Sequence, residues 1–87
     1  MNKKISENRK KISKIDKAIL KKLANRFNLA KKIGEIKKIN EIEIVDLKRE
    51  ESLKKHYQKW AKELNLDLKF VIKLFNLIIA ESKKKQL

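Results

Sequence analysis

The sequence predicts an all-α fold of three helices, one long and two shorter, on three observations. Proline is absent and glycine occurs once in 87 residues, so little interrupts a helix. Apolar residues recur at steps of three and four along most of the chain, the spacing of one helical face. Two short stretches break that rhythm and read as links.

The first helix is expected from Ile5 to about Lys38. Its apolar positions are Ile5, Ile12, Ile15, Ile19, Leu23, Phe27, Ala30 and Ile33. A helix of roughly 34 residues is about 50 Å long at ~1.5 Å per residue. The segment Ile39-Asn40-Glu41-Ile42-Glu43-Ile44-Val45 alternates and is rich in branched residues, so it reads as an extended link. Asp46 is a fitting N-cap for the second helix, and Glu50 and Glu51 suit the positive end of its dipole. That helix continues through Leu53, Tyr57, Trp60, Ala61 and Leu64. Asn65-Leu66-Asp67 forms a tight turn, with Asp67 capping a third helix that carries Phe70, Val71, Leu74, Phe75, Leu77, Ile78 and Ile79. Trp60, Phe70 and Phe75 are expected in the core, His56 at a surface edge, and Gly34 at a close helix contact.

The two shorter helices, at roughly 18–20 residues or ~27–30 Å each, cannot cover a ~50 Å stripe. The uncovered part of the first helix is expected to pair with a second chain, most simply in an antiparallel C2 dimer. A plain coiled coil is less consistent with a stripe that mixes threes and fours without a steady heptad.

Composition narrows the chemistry. Residues 1–87 make a single domain, and a chain this short buries a thin core. Without cysteine there is no disulfide or thiolate metal site, and the lone His56 does not make a zinc site, so no metal is expected. Oligomerisation is the remaining aid to stability. The N-terminus lacks the apolar run of a secretory signal, and Phe70 to Ala80 is broken by Lys73 and Asn76, so a cytoplasmic protein with no membrane partner is expected. The formal charge is +14, which fits either nucleic acid or a small polyanion as partner. Residues 1–44 carry 14 basic and 5 acidic groups and residues 45–87 carry 11 and 6, so no basic arm stands out. Usual nucleic-acid recognition motifs and an aromatic platform are missing, which favours the small anion. Lysine outnumbers arginine 22 to 3, so the rare arginines mark positions where a planar, bidentate group matters.

Arg26 and Lys37 are eleven residues apart, which returns them to within about 20° on one face, roughly 16 Å along the axis. Both can reach one small anion. Arg9 lies about 25 Å from Arg26 and is rotated by roughly 100°, so it suits a partner's site better than its own. Asp46, Arg49 and Glu50 cluster on the first turn of the second helix. Ser82 and Gln86 share a face near the end of the third. Each has an ordinary explanation alone, as a cap, a solvated charge or a polar terminus.

Together the residues resemble the all-helical class of chorismate mutases. The motifs are Asn8-Arg9-Lys10-Lys11-Ile12 with Ile15-Asp16 and Leu20; Leu23-Ala24-Asn25-Arg26 with Leu29-Ala30; Ile33-Gly34-Glu35-Ile36-Lys37; Val45-Asp46 with Arg49-Glu50; and Leu74-Phe75 with Ile78-Ile79, Ser82 and Gln86. Each is weak alone, but the ordered set over about residues 5–87 is specific. The resemblance implies an intertwined helical homodimer that rearranges chorismate to prephenate without cofactor, in phenylalanine and tyrosine biosynthesis. It implies that Arg26 and Arg49 hold the substrate carboxylates, helped by Arg9 from the other subunit. Lys37 then contacts a carboxylate and the ether oxygen, Gln86 donates to that oxygen, Glu50 positions a hydroxyl, and Asp46 and Ser82 supply supporting contacts. Lys37, Gln86 and Glu50 are the catalytic candidates. The proline that many members carry before the aspartate is missing from Glu43-Ile44-Val45-Asp46, so a more mobile loop is expected. A lyase of the same fold that removes pyruvate from isochorismate is the nearest rival, with a basic nucleic-acid module and a pure dimerisation bundle behind it. No second enzymatic domain is seen, so a free-standing enzyme is expected.

Overall fold

The computed structural model describes residues 2–87, and three helices account for most of them: α1 (Lys3–Ile39), α2 (Leu47–Glu63) and α3 (Leu68–Gln86). Each starts on the residue type that a helix start requires. The Asn2 side chain accepts from the amides of Lys4 at 2.9 Å and Ile5 at 3.4 Å. Asp46 accepts from Arg49 N at 3.0 Å and Asp67 from Phe70 N at 3.3 Å. Such caps are worth about 1 kcal/mol each, because they satisfy amides that have no partner in the first turn.

Both inner helix ends close in the same way. After α1, Glu41 takes a left-handed φ of 54°, Ile42 N donates to Lys37 O at 2.7 Å and Glu41 N to Lys38 O at 3.4 Å. After α2, Asn65 takes φ 55°, Leu66 N donates to Ala61 O at 2.8 Å and Asn65 N to Lys62 O at 3.3 Å. These paired reverse bonds are the Schellman closure, which usually places glycine at the left-handed position. Asparagine tolerates that position well and glutamate less so. α1 thus ends within one residue of the expected Lys38, and the link closes as a turn where an extended segment was expected. Ile39 is still helical, and the chain turns at Asn40–Glu41 before running on irregularly to Asp46.

α1 and α2 each pack on α3 and make no comparable contact with one another. The α2–α3 core is Tyr57, Ala61 and Val71, with Leu53, Leu68, Phe75 and Ile79 packed around it. The Tyr57 and Phe75 rings stack at 4.2 Å. Trp60 and Phe70, expected in the core, lie largely outside it at 43% and 57% exposure. Each immediately precedes a buried residue, Ala61 and Val71, and the ~100° step between helical neighbours turns it outward. Trp60 stacks instead on exposed His56, at 5.2 Å.

Along α1 only Ala30 and Gly34 are buried, both in its second half. The first half projects beyond the other helices in a molecule 58 Å long, and Ile12, Ile15 and Ile19 are each more than half exposed there. No helix of the described residues is long and apolar enough to cross a membrane.

Gly34 sets the α1–α3 distance. A Cβ at this position would lie 2.5 Å from Gln86 Cα and 2.7 Å from Gln86 O, both backbone atoms of α3. Gly34→Val therefore has to force the helices apart. Overpacking of this kind costs about 2 kcal/mol, a fall on the order of 10 °C in melting temperature for a domain of this size. A thermal melt followed by circular dichroism measures it, and an unchanged transition contradicts the contact.

Candidate active site

Because α1 and α2 meet only through α3, a cleft opens between them with α3 as its floor. Its volume is about 450 Å³, and it is lined by Arg26, Leu29, Ala30, Ile33 and Lys37 from α1, by Ile44 and Asp46 from the link, by Arg49, Glu50 and Leu53 from α2, and by Ile79, Ser82, Lys83 and Gln86 from α3. That volume falls within the range of small-molecule sites. Seven of the eight site residues expected from the sequence meet here: Arg26, Lys37, Asp46, Arg49, Glu50, Ser82 and Gln86. Arg9 does not. It lies near the other end of α1, beside Ser6, Lys10, Ser13 and Lys14 on an open surface.

The cleft is wired by its own hydrogen bonds. Arg26 donates from Nη1 to Ser82 Oγ, and Ser82 Oγ donates to Ile78 O at 2.8 Å. Ser82 is buried, so its hydroxyl works as a bracket for the Arg26 fork, whose remaining hydrogens can serve other acceptors. Lys37 Nζ donates to Ile44 O at 2.8 Å and to Gln86 Oε1 at 3.1 Å. Two consequences follow. The third ammonium hydrogen stays available, and Gln86, with its oxygen engaged, keeps its amide NH₂ as a donor. The Lys37 bond to Ile44 also ties down the link that lacks a proline. Asp46 spends one oxygen on its cap.

Lys83 was not anticipated. It lines the cleft and pairs with Glu50 Oε1 across the α2–α3 boundary. The usable signal was its spacing: Lys83 stands three residues before Gln86, on the same helical face. With it the lining carries four cations (Arg26, Lys37, Arg49, Lys83) and two carboxylates (Asp46, Glu50), a formal excess of two positive charges. Donors are fixed, apolar walls are supplied by Leu29, Ile33, Leu53 and Ile79, and the preferred guest is a compact dianion. Among the described residues no group of three or more side chains could hold a metal ion.

Under the cleft, Tyr57 is buried at 3% exposure and its hydroxyl reaches no hydrogen-bond partner among the described residues. Burial pushes the phenol above its ordinary value of 10.0, against the opposing pull of the nearby Arg26 and Arg49 guanidiniums and a side-chain contact with Arg26 that falls short of a well-formed hydrogen bond.

Comparison with known proteins identifies the family. The sequence family described as chorismate mutase type II matches residues 8–87. A chorismate mutase of Methanocaldococcus jannaschii is 42% identical over 86 residues, covering 99% of this chain and 87% of that protein. A bifunctional chorismate mutase/prephenate dehydratase of Buchnera aphidicola subsp. Acyrthosiphon pisum is 40% identical over 78 residues, 90% of this chain and 20% of that protein. The bifunctional chorismate mutase/prephenate dehydratase of Escherichia coli K12 is 35% identical over 74 residues, 85% of this chain and 19% of that protein. The chain thus spans about a fifth of the length of the bifunctional relatives.

The unpartnered Tyr57 oxygen makes a stability prediction. Tyr57→Phe removes a buried polar atom that makes no well-formed hydrogen bond, so it stabilises by about 1 kcal/mol near neutral pH. The raised phenol value adds a pH dependence. Below pH 10 the group is neutral folded and unfolded alike; above it the unfolded chain ionises first, so the parent loses stability that Tyr57→Phe keeps. Urea unfolding at pH 7 and at pH 10.5 checks both. Loss of stability in Tyr57→Phe, or a gap between the two proteins that narrows with rising pH, contradicts the assignment.

Proposed function

The chain belongs to the type II chorismate mutase family, and on that premise we propose that its cleft turns chorismate into prephenate by gripping both carboxylates and stabilising the charge that grows on the ether oxygen. The observation that carries this is the Lys37–Gln86 pair, an ammonium and an amide locked together at 3.1 Å with donors to spare, in the same cleft as the bracketed Arg26.

The reaction is an intramolecular Claisen rearrangement. A C–O bond breaks while a C–C bond forms, and neither a nucleophile nor a base takes part. Catalysis then reduces to two tasks. The first is orientation: the substrate must be folded into a chair-like shape, and fixed geometry replaces the entropy otherwise lost on the way to the transition state. Arg26 and Arg49 suit this, because the guanidinium fork matches a carboxylate bidentately. The second is electrostatic. Negative charge accumulates on the ether oxygen, and Lys37 Nζ and the Gln86 amide are the donors aimed at it. Preorganised donors need not reorient during the reaction. Glu50 accepts the hydroxyl of the substrate ring. Asp46 and Ser82 hold the link and Arg26 in place.

The second part of the proposal is a homodimer of intertwined chains with two shared sites. Its support is the bare apolar stripe Ile12, Ile15 and Ile19 on a 37-residue α1, against which the 17- and 19-residue helices of the same chain are too short. An antiparallel second copy covers that stripe and brings its own Arg9 to the open side of the cleft. In this arrangement Arg9 is a third guanidinium for the dianion, supplied in trans.

Lys37→Ala and Arg26→Ala are expected to lose about 100- to 1,000-fold in kcat/KM, the usual cost of one preorganised donor, with the helical circular-dichroism signal retained. The decrease in chorismate absorbance measures it, and activity within a few-fold of the parent in either variant sinks the assignment. Arg9→Ala is expected to be inactive alone and to regain activity when refolded together with Arg26→Ala, because one of the two sites in such a heterodimer is intact. Verified heterodimers without rescue rule out sharing.

A further inference from the structure

We propose that Lys83 is a positioning residue of this site, which holds the Glu50 carboxylate by one oxygen and turns the other to the ring hydroxyl of the bound substrate. This rests on the chorismate reading above.

The geometry is specific. α3 ends in three successive lysines, Lys83, Lys84 and Lys85, and cations at a helix C-terminus are ordinary company for its dipole. They do not share one role. Lys85 reaches back along its own helix to Glu81, 3.8 Å away, and Lys84 is exposed. Lys83 alone of the three crosses to another helix and lines the cleft, where it meets Glu50. The contact is made to Oε1, and no other hydrogen bond engages the Glu50 side chain among the described residues. Oε2 is thereby left as a free acceptor with a fixed direction. The pair is only part-buried, with side-chain exposures of 40% for Lys83 and 27% for Glu50. Ion pairs as open as this add little to folding stability, so stability gives no strong reason for it.

A functional reason exists. The cleft is suited to a dianion, yet its own Glu50 repels one. An unpaired carboxylate there weakens substrate binding and swings freely about its side-chain torsions. Lys83 cancels the charge and arrests the swing. It also completes the formal excess of two positive charges; without it the lining carries three cations against two carboxylates. Lys83 therefore acts through Glu50 and not by touching the reacting atoms.

A double-variant cycle reads this out. Lys83→Met keeps the apolar stem and removes the charge, and it is expected to lower kcat/KM about tenfold, with most of the change in KM. In a Glu50→Gln background the same substitution is expected to cost less than threefold, because the carboxylate to be held is gone. Melting temperatures of all four proteins are measured alongside and are expected to agree within a few degrees. If Lys83→Met melts much lower, Lys83→Gln replaces it in the cycle. A loss below threefold in the parent background overturns the proposal, as does a loss of threefold or more repeated in Glu50→Gln. Parent activity separates the two levels. An inactive parent overturns the chorismate reading and this role with it, whereas an active parent indifferent to Lys83 overturns this role alone.

Discussion

Gly34 lets the backbones of α1 and α3 touch at Gln86, and the polar geometry of the cleft depends on that approach. With α3 seated this close, Gln86 comes within reach of Lys37, and Ser82, one turn earlier, comes within reach of Arg26. A side chain at position 34 moves both brackets at once. The site is thus placed less by the loops around it than by one missing Cβ near the C-terminal end of a long helix.

The same economy explains why the molecule is so exposed. A core of Tyr57, Ala61 and Val71 with its surrounding shell is thin for 87 residues, and the first half of α1 contributes nothing to it. Short chains bury a smaller share of their surface and lean on disulfides, metals or partners. Here cysteine is absent, and the exposed apolar stripe of α1 is the surface that the proposed second copy would cover. In the proposed dimer stability and function share one requirement, since a copy that covered Ile12, Ile15 and Ile19 would also deliver Arg9.

Much of this was legible in the sequence because helices advertise themselves by period. The three helices, the caps Asp46 and Asp67 and the meaning of Gly34 follow from spacing and residue type. Arg26 and Lys37 were placed on one face by arithmetic alone, and they line one cleft. What escaped depends on azimuth and on contacts between helices. Trp60 and Phe70 look like core by hydrophobicity, yet each is one ~100° step off the buried face. The end of α1 was blurred because Ile39 continues an alternating pattern while the actual stop is a left-handed glutamate, a residue type that gives no warning. Lys83 was hidden in a lysine run, where only the position of Glu50 on another helix distinguishes it from its neighbours. The buried, unpartnered hydroxyl of Tyr57 is likewise invisible until the helices are assembled.

The central claim is that a cleft of fixed cations and amide donors rearranges a bound dianion without breaking it in two. Proton NMR of purified protein mixed with chorismate tests this most directly, because it sees substrate, rearranged product and released pyruvate in one spectrum. Chorismate is expected to disappear at a rate proportional to protein, with prephenate appearing in equal amount and no pyruvate formed. Chorismate that persists unchanged over hours contradicts it, and so does stoichiometric pyruvate.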